Sequence, residues 1–191
     1  MIRAFSLRSV ASIKLFALRL IGAFTAFVVT EAVFANPQGG QVIRGDATIT
    51  KAAPETLVIK QTSNKAIINW RNFSIGPNEH TQFEQPSASS AVLNRVTSSQ
   101  VSRILGRLTA NGKVFLINPN GVVFGNGARV DVGSLITTTH DIKNQDFLTD
   151  TLRFTLAGKP DAAIVNEGGI SVKEGGLVAF VAPSIENSGV I

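Results

Sequence analysis

The chain has no cysteine, one tryptophan, two histidines and only 16% charged residues. Without cysteine no disulfide can staple the fold, and a structural metal site loses its best ligands. His80 and His140 have no Ser, Cys or acidic partner at a spacing that points to catalysis, so they read as surface or satisfied side chains. No apolar run reaches the ~20 residues that a membrane-spanning helix needs. Long helical periodicity is missing too. The one helix candidate, residues 101–108, follows Thr97-Ser98-Ser99 and could turn Ile104, Leu105 and Leu108 inward, but it is short and Gly106 interrupts it.

Charge of one sign is also scarce once the N-terminus is set aside. Residues 1–35 carry Arg3, Arg8, Lys14 and Arg19, then an apolar run over 20–29, then Ala32-Val33-Phe34-Ala35 before Asn36-Pro37. A basic start, about ten apolar residues and small residues near a cleavage point describe a secretory signal peptide. Val33 and Ala35 occupy the small-residue positions, which puts the cut between Ala35 and Asn36. An uncleaved anchor would need a longer apolar run, and Arg19 interrupts it. The formal charge of the whole chain is +5; removing four basic residues and Glu31 leaves 14 basic against 12 acidic. The remaining chain has no Lys/Arg cluster, which argues against nucleic-acid binding, and no stable membrane insertion is expected of it. A cysteine-free exported chain also crosses an oxidising periplasm without being locked into a fold.

What is present is short strands and corners. Val114-Phe115-Leu116-Ile117-Asn118-Pro119-Asn120-Gly121-Val122-Val123-Phe124-Gly125-Asn126-Gly127 places two strand-length apolar runs on either side of Asn-Pro-Asn-Gly. Pro119 presets its own φ and pushes Asn118 toward an extended conformation, while Asn120 and Gly121 tolerate positive φ. Similar runs fall at 41–49, 56–60, 66–70, 73–75, 81–83, 91–96, 113–117, 122–124, 128–132 and 135–138. After a polar stretch come 154–156, 163–165, 170–172, 177–181 and 190–191, with Gly, Asn, Ser and Pro between them.

The C-terminal third repeats. Ile164-Val165-Asn166-Glu167-Gly168-Gly169-Ile170 returns 21 residues later as Ile185-Glu186-Asn187-Ser188-Gly189-Val190-Ile191. Residues 112–119 echo at 176–183, an offset of 64 that is close to three such periods. A period near 20 made of strands and Gly/Asn corners predicts a parallel β-helix in which each period is one rung. A β-sandwich would give hairpin turns without a fixed period. One rung buries too little apolar surface to offset the ordering of its residues, so rungs are stable only when stacked, and an open end must be capped. The residues after Asn36 are placed to cap the N-terminal end. The repeat runs to Ile191, which reads as the front of a longer array.

Several segments in fixed order carry a family resemblance: AIINWRNFSI (66–75), TQFEQP (81–86), AVLNRV (91–96), Ile104–Gly106 with Leu108, ANGKVFLINPNGVVFG (110–125), VDVGSL (130–135) and TTTHDI (137–142). Together they resemble the N-terminal secretion domain of filamentous-haemagglutinin-type exoproteins, nearest the high-molecular-weight adhesin branch. The resemblance implies a right-handed, single-stranded parallel β-helix with an N-terminal cap. It implies residues 36–150 as the secretion domain of two-partner secretion, with 151–191 as further rungs. It also implies a partner: the periplasmic POTRA domains of an outer-membrane β-barrel transporter, with folding after export to the cell surface or medium. The family's Asn-Pro-Asn-Gly motif falls on Asn118, Pro119, Asn120 and Gly121, where corner formation competes with transporter contact as the main role. An upstream Asn-Pro-Asn-Leu, present in some members, is absent here. A strand-prone segment around 66–123 could add to an exposed sheet edge of the transporter by main-chain hydrogen bonds.

Other chemistry is thinner. Asp131, Asp141, Asp146, Asp150 and Asp161 raise a polysaccharide-cleaving β-helix enzyme or calcium, but no ligand loop spacing accompanies them, and solvated carboxylates are expected. Gly125-Asn126-Gly127 opens no helix and so no phosphate site. Asn72-Phe73-Ser74 is a formal glycosylation acceptor. Trp70 and Phe73 read as core anchors. No enzyme activity, metal or cofactor is expected; a module binding host-cell glycans or receptors is the competing reading.

Overall fold

The computed structural model describes residues 36–191; the signal-peptide reading and Ala35 lie outside them, and Asn36 is the first residue inside. Three sheets form the sides of a coil. Sheet I holds β1 (Gln41–Arg44), β4 (Lys65–Trp70), β6 (Ala91–Val96), β9 (Lys113–Ile117), β12 (Ser134–Thr138) and β15 (Val178–Val181). Sheet II holds β7 (Ser102–Ile104), β10 (Val122–Phe124), β13 (Ala163–Asn166) and β16 (Ser184–Asn187). Sheet III holds β2 (Ala47–Ala53), β3 (Thr56–Gln61), β5 (His80–Glu84), β8 (Arg107–Ala110), β11 (Arg129–Val132) and β14 (Gly169–Val172). The chain visits II, III and I in turn, and all pairings beyond the first two strands are parallel: a parallel β-solenoid.

The N-terminal end is closed as the sequence predicts. β1 runs antiparallel along β4 and β2 runs antiparallel along β3, so sheets I and III each end in a reversed strand. Sheet II begins at β7, whose free side is taken by Ser74 and Ile75: Ile75 N–H donates to Arg103 O (2.9 Å), and Arg103 N–H donates to Ser74 Oγ (3.1 Å). The reversed strands leave the first rung's backbone groups paired.

The repeat is visible as register. Ile164 sits beside Ile185 and Asn166 beside Asn187, the 21-residue offset read from the sequence. The offset of 64 resolves differently. Val114 pairs with Leu135, and Leu135 pairs with Val178, so the two echoing segments lie two rungs apart, not three. The extra period is the segment 139–162, which leaves the coil after β12 and returns at β13. It carries the only helix among the described residues, α1 (Asn144–Leu148).

That excursion explains a second core. Inside the coil Trp70, Phe73 and Phe83 pack at ring distances of 5.6 and 6.5 Å, among the inward side chains of all three sheets. Sheet I is apolar on its outer face as well. Ile67, Leu93, Phe115 and Ile136 form one column across neighbouring strands, and Ile142 and Phe147 of the excursion cover it. Phe147 meets Phe115 edge-on at 5.2 Å. Arg95 fastens the cover. Its Nε donates to both carboxylate oxygens of Asp141 (2.9 and 2.8 Å), Nη2 to Ile142 O (2.8 Å) and Nη1 to Asn144 Oδ1 (3.0 Å).

Three local expectations are corrected. Residues 101–108 are not helical: they form β7, a corner and the start of β8, with Ile104 and Leu108 buried. Gly106 sits at that corner against the carbonyls of Gly76 and Glu79, where no Cβ fits, and the strands gain ladder partners that an isolated two-turn helix lacks. Residues 154–156 form no strand; Leu156 makes a single antiparallel bridge to Asp141. The run 41–49 is not one strand but β1 and β2, broken at Gly45 with φ of +72°. Among the described residues no helix is long and apolar enough to cross a membrane.

Candidate functional site

The Asn118–Gly121 corner joins sheet I to sheet II. Asn118 ends the apolar strand β9 and its side chain turns inward, fully buried. Its carboxamide is completely engaged. Oδ1 accepts from Asn120 N–H and from Asn120 Nδ2, both at 2.9 Å; Nδ2 donates to Gln100 O and to Ser102 Oγ, both at 2.9 Å. The first pair is an Asx-type closure of the turn, and the second ties this rung to the one before it. Gly121 N–H donates to Asn118 O (3.0 Å), and Asn118 N–H donates to Thr138 O of the following rung (3.0 Å). One asparagine therefore bonds to three successive rungs.

Its neighbours share the work. Asn120 Nδ2 also reaches Ser98 O (2.9 Å). Gly121 has φ of +110°, and a Cβ there would stand 2.7 Å from Ala163 O. Pro119, half-exposed, accepts from Lys159 N–H (3.0 Å), so the returning end of the excursion closes over the corner. In the folded coil Asn118 and Gly121 are enclosed, while Pro119 and Asn120 keep partial access to solvent.

The polar line continues toward the cap. Asn72 Nδ2 donates to Gln100 Oε1 (3.0 Å), Gln38 N–H donates to Asn72 O (2.8 Å), and Arg71 N–H donates to Gln38 O (3.0 Å). Asn36 anchors the other side, accepting from Thr81 Oγ1 (2.8 Å) and donating to Glu55 O (2.9 Å). Ser98, Gln100 and Ser102 were not visible as partners of the motif in the sequence; the Thr-Ser-Ser-Gln run that supplies the first two reads there as the lead-in to a helix, and Ser102 as part of it.

The other candidate groups are dispersed. His80 Nε2 lies 2.7 Å from Thr109 Oγ1, and burial, then the adjacent Arg107 guanidinium, hold its pKa below the usual histidine range. Asp141 is held by Arg95, Asp150 by Lys65 (2.7 Å), and Asp131 lies 3.4 Å from Lys173. The structure brings no three of the His, Asp and Glu side chains together among the described residues. Trp70 and Phe73 are interior, with Trp70 Nε1 donating to the buried Asn94 Oδ1 (2.9 Å).

A capped parallel coil, with a carboxamide corner that stitches its rungs together, defines a β-solenoid structural module. The chain belongs to the TPS secretion domain family, whose sequence profile matches residues 34–191. It is similar to the heme/hemopexin-binding protein of Haemophilus influenzae, at 40% identity over 132 residues, covering 69% of this chain and 14% of that protein. A second such protein, from Haemophilus influenzae Rd, is 34% identical over 187 residues, covering 93% of this chain and 20% of the relative. This chain thus spans a fifth or less of the length of these curated relatives. Among solved structures, the HMW1 secretion domain from Haemophilus influenzae matches with a TM-score of 0.74 and 38% identity, over 81% of this chain and 42% of that one. The family is one of secreted exoproteins that use a two-partner transporter.

Proposed function

We propose that residues 36–150 are the secretion signal and folding nucleus of a larger exported protein, that 1–35 are a cleaved leader, and that 151–191 begin further rungs. The transporter recognises the domain in the periplasm through its POTRA domains, and the chain folds as it emerges outside. The observation that carries this is the closed N-terminal end: reversed strands terminate two sheets, and a third is finished by Ser74 and Ile75. A coil sealed on that side can grow only by adding rungs C-terminally, so the segment that leaves the pore first is also the one able to template the rest.

The corner residues Asn118 to Gly121 serve this role chiefly by fixing the register between rungs, and Pro119 and Asn120 offer the accessible part of the motif. The test is a pull-down of the unfolded and the folded domain with the transporter's soluble periplasmic domains, alongside secretion of an Asn118→Ala/Asn120→Ala double variant. Capture by those domains with impaired surface delivery of the variant is expected. Undiminished secretion of the double variant would remove both residues from the pathway, and failure of capture would remove the transporter reading.

A further inference from the structure

Three Asn-Gly pairs occur in the chain: Asn111-Gly112, Asn120-Gly121 and Asn126-Gly127. In such a pair the glycine nitrogen, with no Cβ beside it, can attack the carboxamide carbon of the preceding asparagine. The side-chain amide must swing free, the glycine N–H must give up its proton, and the five-membered ring must find room. The fold treats the three pairs differently on each count.

At the first two pairs every condition is obstructed. Asn111 Oδ1 accepts from Gln85 N–H and its Nδ2 donates to Gln85 O, both at 2.7 Å, while Gly112 N–H donates to Gln85 Oε1 (3.0 Å). Asn120 Nδ2 is held by Ser98 O and Asn118 Oδ1, and Gly121 N–H donates to Asn118 O. Both glycines are crowded: a Cβ would stand 2.6 Å from Ser90 O at Gly112 and 2.7 Å from Ala163 O at Gly121.

Asn126-Gly127 is the reverse. The pair forms the tip of the corner between β10 and β11, and both residues are exposed. Among the described residues neither the Asn126 carboxamide nor the Gly127 N–H has a hydrogen-bond partner. The turn is closed only by its flanking residues, Ala128 N–H donating to Gly125 O (2.9 Å), which leaves the peptide between 126 and 127 free to rotate. A Cβ at Gly127 would meet nothing nearer than Leu105 O, at 3.9 Å. Exposure alone does not single the pair out, because Asn111 is exposed too. The hydrogen bonds do.

We infer that Asn126 is a modification site of the folded protein, where the chain cyclises with loss of ammonia. The Gly127 nitrogen gives its proton to solvent and bonds to Asn126 Cγ; the Cγ–Nδ2 bond breaks, and Nδ2 leaves as ammonia with a proton from water. Water then opens the ring. Attack at Cγ leaves an aspartyl residue at position 126, and attack at the main-chain carbonyl leaves an isoaspartyl one. The step needs no oxidant and no partner protein. Each event adds one negative charge to this corner and spares the corner at 118–121. Coiling thereby protects Asn120, whose donation to Ser98 O a carboxylate could not make.

The full exported protein, purified in its folded form, is aged in mildly alkaline buffer beside the same protein in guanidinium chloride. Peptides are sequenced by tandem mass spectrometry, and isoaspartyl groups are labelled with isoaspartyl methyltransferase and radioactive S-adenosylmethionine. In the folded protein position 126 is expected to convert at least ~tenfold faster than 111 or 120, whereas in denaturant the three rates should agree within about threefold. Asn126→Gln should remove the isoaspartyl label from the folded protein and leave its thermal midpoint unchanged. Equal conversion at 111 and 126 in the folded protein would make exposure, not bonding, the determinant. No conversion at 126 where the denatured chain converts would mean that the turn locks the pair. Either result removes the site.

Discussion

At the residue scale the buried Asn118 shows how much a single side chain can fix. Its four amide hydrogen bonds leave no polar atom of that group unpaired, and the buried Ser102 hydroxyl would lose its partner without it. Asn118→Ala should cost about 3 kcal/mol, from stranding the buried Ser102 hydroxyl and losing the side-chain closure of the turn, read as a lowered denaturation midpoint. Gly121→Ala should cost at least ~2 kcal/mol, because a Cβ at that positive φ also meets Ala163 O. His80 gives a pH signature. Its folded pKa is lowered, so as pH falls below ~6.5 the unfolded chain takes up a proton that the folded chain resists. Stability should therefore be complete near neutrality and decline as the medium becomes acidic through the folded pKa. His80→Gln should flatten that part of the profile in thermal melts.

At the scale of elements the excursion is the informative part. Phe147→Ala removes the ring that faces Phe115 and should cost ~3–5 kcal/mol of docking, seen as fast amide exchange over 139–162 while the three sheets stay protected. The strands themselves were legible. The runs at 91–96, 113–117 and 122–124 are strands with those bounds; for the last two, β-branched and aromatic residues bounded by Gly and Asn have few alternatives. The motif's corner was legible for the same reason. The excursion was not: its mostly polar sequence offered only a false strand at 154–156, while Ile142, Phe147, Leu148 and Phe154, which pack on the second core, follow no strand period. A hint lay elsewhere, in the uninterrupted apolar runs of sheet I. A strand such as β9, buried on both faces, demands a second cover, whereas the alternating β11 does not. The helix expectation at 101–108 failed because local propensity was weighed without the neighbours that pair β7 and β8.

For the whole molecule, stability is shared between stacked rungs and one closed end. Removing residues 36–53 would strip β1 and β2 from β4 and β3 and leave two long sheet edges bare. The shortened chain is expected to self-associate in sedimentation or size-exclusion measurements, whereas the intact domain does not use those edges. The winding between β12 and β13 carries 24 residues where the corner between β9 and β10 carries four, yet the ladders on both sides keep their partners on all three sheets. Length and register are thus decoupled in this architecture. A graft at that junction, an epitope or a small folded tag of similar span, would ride on the outside of the coil like a branch on a trunk whose growth rings stay aligned, which makes the junction a natural place for such chains to diversify.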